Sequence, residues 1–136
     1  GQAIEEFKRL TKAKNPEYAA EAQYVLAEIA FNSGKIEESE KMIHQINANP
    51  SSEYWLAKTF VLWADIFKSK GNTIQAKQTL QSIIDNYEGD EELIELAKQK
   101  LISLTDEETK TLQETEDKRQ EQQEAVDEII IEDAEQ

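Results

Sequence analysis

The chain has 136 residues and a formal net charge of −14, with four Gly, two Pro and no Cys. This length fits one ordinary domain, the lack of Cys excludes disulfides and thiolate metal sites, and the acidic excess is the wrong sign for a nucleic-acid partner. No segment is long and apolar enough to span a bilayer, so membrane insertion is not expected, and the scarcity of turn-forming residues predicts an all-α fold.

Charge and apolar residues divide the chain into two parts. Residues 105–136 contain 13 acidic and three basic residues, a net charge of −10, whereas residues 1–104 contain 16 acidic and 12 basic residues, a net charge of −4. Both Trp, all four Tyr and all four Phe precede Ser103. Because a packed core needs large apolar side chains, the sequence predicts a folded body over residues 1–104 and an acidic, helical or disordered tail over residues 105–136.

The predicted helices of the body begin with residues 1–14, where Ala3, Phe7 and Leu10 have helical spacing and Asn15-Pro16 ends the pattern. Two helical hairpins follow, over residues 17–48 and 52–88, with Gly34 and Gly71 at their turns, 37 residues apart. Each Gly is expected to end a helix in the left-handed conformation. A last helix over residues 91–104 is predicted to cap the body with Leu93, Ala97, Leu101 and Leu104 facing inward.

Small and apolar positions coincide when the two hairpins are aligned at the 37-residue offset. The pattern resembles the tetratricopeptide repeat, in which Trp-x2-Leu-Gly-x2-Tyr is followed by Ala-x3-Phe. The matching residues are Gln23, Leu26, Ala27, Ala30, Ser39 and Ile43 in the first hairpin and Phe60, Trp63, Ala64, Phe67, Ala76 and Leu80 in the second. The resemblance implies a right-handed α-α solenoid of helical hairpins, with Trp63 in its core.

The resemblance also extends to the N-terminal segment, which matches the second helix of a preceding repeat. We therefore expect residues 1–14 to be a half repeat and the chain to be the C-terminal fragment of a longer array. The face of this helix that has lost its neighbour would favour self-association. The 37-residue period resembles the longer repeats of bacterial envelope proteins, including components of outer-membrane β-barrel assembly and of the Tol-Pal system. This favours a periplasmic or outer-membrane-associated location and leaves a cytoplasmic one open.

The tail carries two signals of its own. The segment from Thr105 to Glu108 has the pattern of a capping box, which predicts that a helix begins at Thr105. Further on, Val126, Ile129 and Ile130 form a short apolar patch among acidic residues, suited to docking on a partner or a second copy as a helix or as an added strand. In a eukaryotic nucleus or cytosol this segment would resemble a SUMO-interacting motif.

Tetratricopeptide arrays bind peptides in a concave groove lined by the first helix of each hairpin, so the resemblance implies a protein or peptide partner. The side chains expected to project there are Glu21, Tyr24, Glu28, Phe31 and Asn32, then Lys58, Val61, Asp65, Lys68 and Ser69. Their carboxylates disfavour the binding of chaperone C-terminal carboxylates. The alternative interpretation is that Tyr24 and Phe31 pack against a neighbouring repeat or helix.

The sequence lacks the combinations of residues that catalytic and cofactor-binding sites require. His44 is the single His, no Cys is present, and the four Gly are isolated from one another, so no nucleophile pair, metal cluster or phosphate-binding loop is predicted. The sequence therefore predicts a non-enzymatic interaction scaffold without cofactor or metal. Two alternatives remain: a capping or oligomerisation segment that terminates a longer array, and an accessory domain of a helical enzyme.

Overall fold

The computed structural model describes residues 1–10 and 15–135, which form six α-helices and no strand. The helices are α1 (Gln2–Leu10), α2 (Pro16–Asn32), α3 (Ile36–Ala48), α4 (Glu53–Ser69), α5 (Thr73–Asn86) and α6 (Glu91–Glu135). The prediction of an all-α protein is confirmed. The end of the predicted N-terminal helix, residues 11–14, lies outside the described residues.

Polar side chains mark the starts of α2, α4 and α6. The side chain of Asn15 accepts a hydrogen bond from the backbone N–H of Glu17 at 2.9 Å. The hydroxyl of Ser52 accepts one from Trp55 at 3.3 Å, and the carboxylate of Asp90 accepts one from Leu93 at 3.0 Å. These bonds satisfy backbone donors that have no partner within the first turn of a helix, and so explain where the three helices begin.

The two hairpin turns have the same backbone geometry. Gly34 and Gly71 both have φ of 80°. The N–H of each Gly donates at 3.0 Å to a carbonyl three residues earlier, and the following N–H, of Lys35 or Asn72, donates at 2.8 Å to a carbonyl five residues earlier. This bonding pattern is the Schellman motif, which needs a left-handed residue at the position that Gly occupies. The predicted role of both glycines is confirmed.

The aligned positions of the two hairpins are also buried alike. Ala27 and Ala64 are 0% and 2% exposed, and Ser39 and Ala76 are both fully buried. The Ser39 hydroxyl donates a hydrogen bond of 2.8 Å to the carbonyl oxygen of Ala27. A polar residue therefore replaces the small apolar residue at this position without leaving a buried donor unpaired.

The body is held together by contacts of α4 with three other helices. Helices α2 and α3 pack on each other and both contact α4, which also packs on α5, while α1 contacts α2. Ala27, Ile43, Leu62 and Ile66 form a buried cluster between the hairpins, and Trp63 packs against that cluster from a partly buried position. Trp63 thus borders the core instead of lying wholly within it.

The chain divides into two compact units, Gly1–Leu101 and Ile102–Gln136. Helix α6 continues from the first unit into the second, so the prediction that a helix begins at Thr105 is wrong. No Gly or Pro follows Gly89 in the sequence, and nothing in residues 91–135 interrupts the backbone hydrogen bonding of a helix that Asp90 has started. The second unit is helical through Glu135, and its residues 109–134 are exposed.

Candidate partner-binding surface

Aromatic rings from α2 and α4 meet on one face of the first unit. The ring centroids of Tyr24 and Trp55 lie 5.5 Å apart, and Tyr54 packs edge-on against Trp55 at 5.0 Å. The ammonium nitrogen of Lys58 lies 5.4 Å from the centroid of the Tyr24 ring and 5.6 Å from that of the Trp55 ring. Both distances fall within the range of cation–π attraction, so the rings hold the Lys58 charge over this face. We call Tyr24, Trp55 and Lys58 the aromatic–lysine cluster.

Two carboxylates adjoin the aromatic–lysine cluster. The Tyr24 hydroxyl donates a hydrogen bond of 2.7 Å to Glu28, one turn further along α2. Burial raises the pKa of the Tyr24 hydroxyl well above its usual value, and the hydrogen bond to Glu28 and the negative charges of Glu28 and Asp65 raise that pKa further. Asp65 is therefore close enough to Tyr24 to act on it electrostatically.

Asp65 itself is paired with a lysine from α6. The ammonium nitrogen of Lys100 lies 3.0 Å from Oδ1 and 3.3 Å from Oδ2 of Asp65. Because the two side chains are 33% and 37% exposed, the pair contributes at most about 1 kcal/mol to stability. Its main effect is on charge, because this surface presents lysines and carboxylates side by side.

The predicted groove residues differ in how accessible they are. Asn32 and Lys68 are exposed near the C-terminal ends of α2 and α4, and Glu21 and Ser69 are exposed as well. Tyr24, Glu28, Phe31, Lys58 and Asp65 are half-buried. The prediction that Val61 projects into the groove is wrong, because this side chain is only 7% exposed. Helix α4 contacts α2, α3 and α5, and Val61 is one of its buried apolar side chains, below the surface.

The alternative interpretation of Tyr24 and Phe31 as packing residues has support in the structure. Both rings pack against the buried cluster of Ala27, Ile43, Leu62 and Ile66. Phe31 therefore serves the core, and Tyr24 contributes to both the core and the aromatic–lysine cluster.

Two residues of this surface were missed in the sequence. Trp55 stands three residues before Lys58, a spacing that places both on one helical face, so the repeat pattern contained a signal for it. Lys100 offered no such signal, because it is 35 residues from Asp65 in sequence and meets it only when α6 packs on the body.

A separate cleft of about 370 Å³ opens between α4 and α5. Its apolar lining includes Leu56, Phe60 and Ile83, and Glu53 and Glu88 also border it. Nearby, desolvation raises the pKa of the Tyr54 hydroxyl, and the charge of Asp90 adds to that effect. This end of the first unit therefore combines apolar surface with negative charge.

The apolar residues of the tail are all exposed. Val126 is 48% exposed and Ile129 and Ile130 are each 59% exposed, all within helix α6. The segment is thus helical in this structure, and of the two conformations considered for docking the helix is the one observed.

Within the described part of the chain, no three His, Asp or Glu side chains converge as metal ligands. None of the helices in residues 1–10 and 15–135 has the length and apolar character needed to cross a membrane. Comparison of the chain with protein-family models, with curated proteins and with solved structures finds no match.

Proposed function

We propose that this chain is a non-enzymatic interaction scaffold built from tetratricopeptide-like hairpins, which binds a peptide or protein segment across α2 and α4. The aromatic–lysine cluster carries this proposal. Tyr24 and Trp55 offer flat, half-buried rings, and Lys58 lies over both of them at 5.4 and 5.6 Å. Trp and Tyr are among the residue types that contribute most of the binding energy at protein interfaces.

The repeated geometry of the hairpins supports the solenoid part of the proposal. The same left-handed Gly, the same pair of hydrogen bonds and the same buried small residues recur after 37 residues. Helix α4 packs on both helices of the preceding hairpin, which is how successive units of an α-solenoid bury their apolar faces. In such an array the first helices of the hairpins, here α2 and α4, lie side by side and form a common binding face.

The charges on this face favour a partner segment with both signs of charge. Glu28 and Asp65 surround Tyr24 with negative charge, and Lys58 and Lys100 supply positive charge close by. A segment carrying only carboxylates would be repelled by Glu28 and Asp65. An apolar or aromatic side chain flanked by both charges would stack on the rings and pair with the lysines and carboxylates around them.

Site-specific photo-crosslinking tests this function. A photoreactive phenylalanine analogue at Asn32, exposed at the end of α2, should capture discrete partners in cells, whereas the same analogue at Gln81, exposed on α5, should not capture them. The Trp55→Ala substitution should weaken binding by about 2 kcal/mol, or roughly 30-fold in Kd, with helix content unchanged. Identical adducts at both positions, or capture that is unaffected by Trp55→Ala, would contradict the proposal.

A further inference from the structure

The apolar side chains near the end of α6 form a compact patch. Val126, Ile129 and Ile130 are spaced by three and four residues, so they fall within an arc of roughly 100° on the helix. They are 48%, 59% and 59% exposed. We call these three residues the tail patch. Ile131 is equally exposed, at 57%, but it is turned by roughly 100° from Ile130 and lies off the patch.

The surroundings of the tail patch carry charge of one sign only. Residues 121–135 contain seven acidic residues and no basic one. Asp127 lies beside the patch and accepts a hydrogen bond of 3.0 Å from the side chain of Gln123, which holds its carboxylate on the helix surface. Glu132 flanks the opposite side of the patch in the helical projection.

This charge selects between the possible occupants of the patch. A second copy of the helix would bring another seven carboxylates against the first seven, and juxtaposed like charges oppose association. A surface of anionic lipids is repelled for the same reason. Favourable contact needs a partner that supplies apolar side chains to the patch and positive charge to the carboxylates beside it.

We propose that the tail patch is the docking surface for a basic amphipathic helix of a partner protein. The partner lays an apolar stripe on Val126, Ile129 and Ile130, and its flanking Lys or Arg side chains pair with Asp127 and Glu132. Apolar burial supplies most of the affinity, and the charges set the orientation and exclude acidic competitors. This site is separate from the aromatic–lysine cluster and does not depend on the function proposed for that cluster.

The test uses the full chain and a dye-labelled helical peptide with Leu at heptad positions a and d and Lys at positions e and g. Fluorescence anisotropy should show binding that weakens as salt is raised, and a peptide with Glu in place of Lys should bind at least about tenfold more weakly. Ile129→Gln and Ile130→Gln should each weaken binding by about tenfold. Ile131→Gln is the matched control, with the same residue type, exposure and charge, and should leave binding unchanged.

Each alternative has a distinct result. If Ile129→Gln and Ile131→Gln weaken binding and Ile130→Gln does not, the segment docks as a strand and the helical proposal is wrong. If all four proteins bind the peptide equally, charge alone attracts it and the patch has no role. If sedimentation velocity shows concentration-dependent dimerisation that Ile130→Gln abolishes, the patch binds a second copy of the chain. If the wild-type chain binds anionic vesicles, the patch binds lipid. Either result overturns the proposal.

Discussion

Replacing Trp63 by Ala should unfold the body at a much lower denaturant concentration, because this side chain joins the two hairpins. Its ring stacks on Phe67 at 5.5 Å, meets Phe60 at 5.9 Å and packs edge-on against His44 of the preceding hairpin at 5.2 Å. It also borders the buried cluster that includes Ile43 and Leu62. Truncation therefore removes contacts within α4 and contacts between the hairpins at the same time.

The magnitude follows from the area that Trp63 buries. A well-packed aromatic side chain buries about 150–250 Å², and the lower end suits a residue that keeps part of its surface exposed. At about 25 cal/mol per Å² this area is worth roughly 4 kcal/mol, and Trp→Ala substitutions in protein cores cost about 3–5 kcal/mol. We expect a loss of about 3 kcal/mol, which corresponds to a decrease in Tm of about 12 °C or more for a unit of this size.

Urea unfolding followed by circular dichroism measures this loss. The matched control is Ile74→Ala on α5, where the side chain is 70% exposed and its removal should change stability by less than about 0.5 kcal/mol. With an m-value of about 2 kcal/mol per molar, the Trp63→Ala midpoint should fall by roughly 1.5 M. Equal midpoints for the two variants would falsify the packing register of α4 and the inter-hairpin role of Trp63.

Four further results are expected. Gly34→Ala and Gly71→Ala should each cost about 1–2 kcal/mol in urea unfolding, because both residues have φ of 80°, which strains a residue with a side chain. An added Cβ would meet no described atom within 4 Å beyond the adjacent residues, so the backbone strain is the whole cost at both sites. Unequal costs would argue against equivalent turns. Ser39→Ala should cost about 1 kcal/mol, the worth of its buried hydrogen bond, and a loss above about 3 kcal/mol would indicate a different environment. The raised pKa of Tyr24 contributes stability that is fully present below the unfolded pKa of about 10 and is lost as pH rises through the raised folded pKa. Ultraviolet titration should show a tyrosine that ionises well above pH 10 and is missing from Tyr24→Phe. Titration of every tyrosine of the folded protein near pH 10 would contradict this expectation. Deletion of the chain after Leu104 should lower the Tm of the body by no more than a few degrees in calorimetry, because residues 109–134 are exposed, and a larger decrease would show that the tail belongs to the fold.

Helix boundaries were predictable where a single residue type decides them. Gly34 and Gly71 end helices because Gly reaches positive φ without steric cost, and that property is local to the residue. The same reasoning failed at Thr105, where a capping pattern stood inside a stretch without Gly or Pro. A capping residue stabilises a helix start only if the chain before it leaves the helix, and here α6 already runs through from Glu91.

Side-chain accessibility on the candidate surface was less predictable. The resemblance to the tetratricopeptide repeat placed Val61 and Asp65 on the groove side of α4, yet Val61 is buried and Asp65 is half-buried. Periodicity gives the direction of a side chain around its own helix, but it does not give how far the neighbouring helices cover that side chain. Because α2, α3 and α5 all pack on α4, they enclose a part of this face that its own sequence left open.

The sequence alone determined the helical class, the positions of the two hairpin turns and the small residues buried between helices, since each of these follows from propensity, spacing and side-chain size along a short stretch of chain. The tertiary structure decided which side chains from different helices meet. Lys58 lies over rings from two helices, and Lys100 pairs with an Asp65 that precedes it by 35 residues. These contacts depend on the distance and angle at which packed helices cross, which many residues set jointly and which no local pattern encodes.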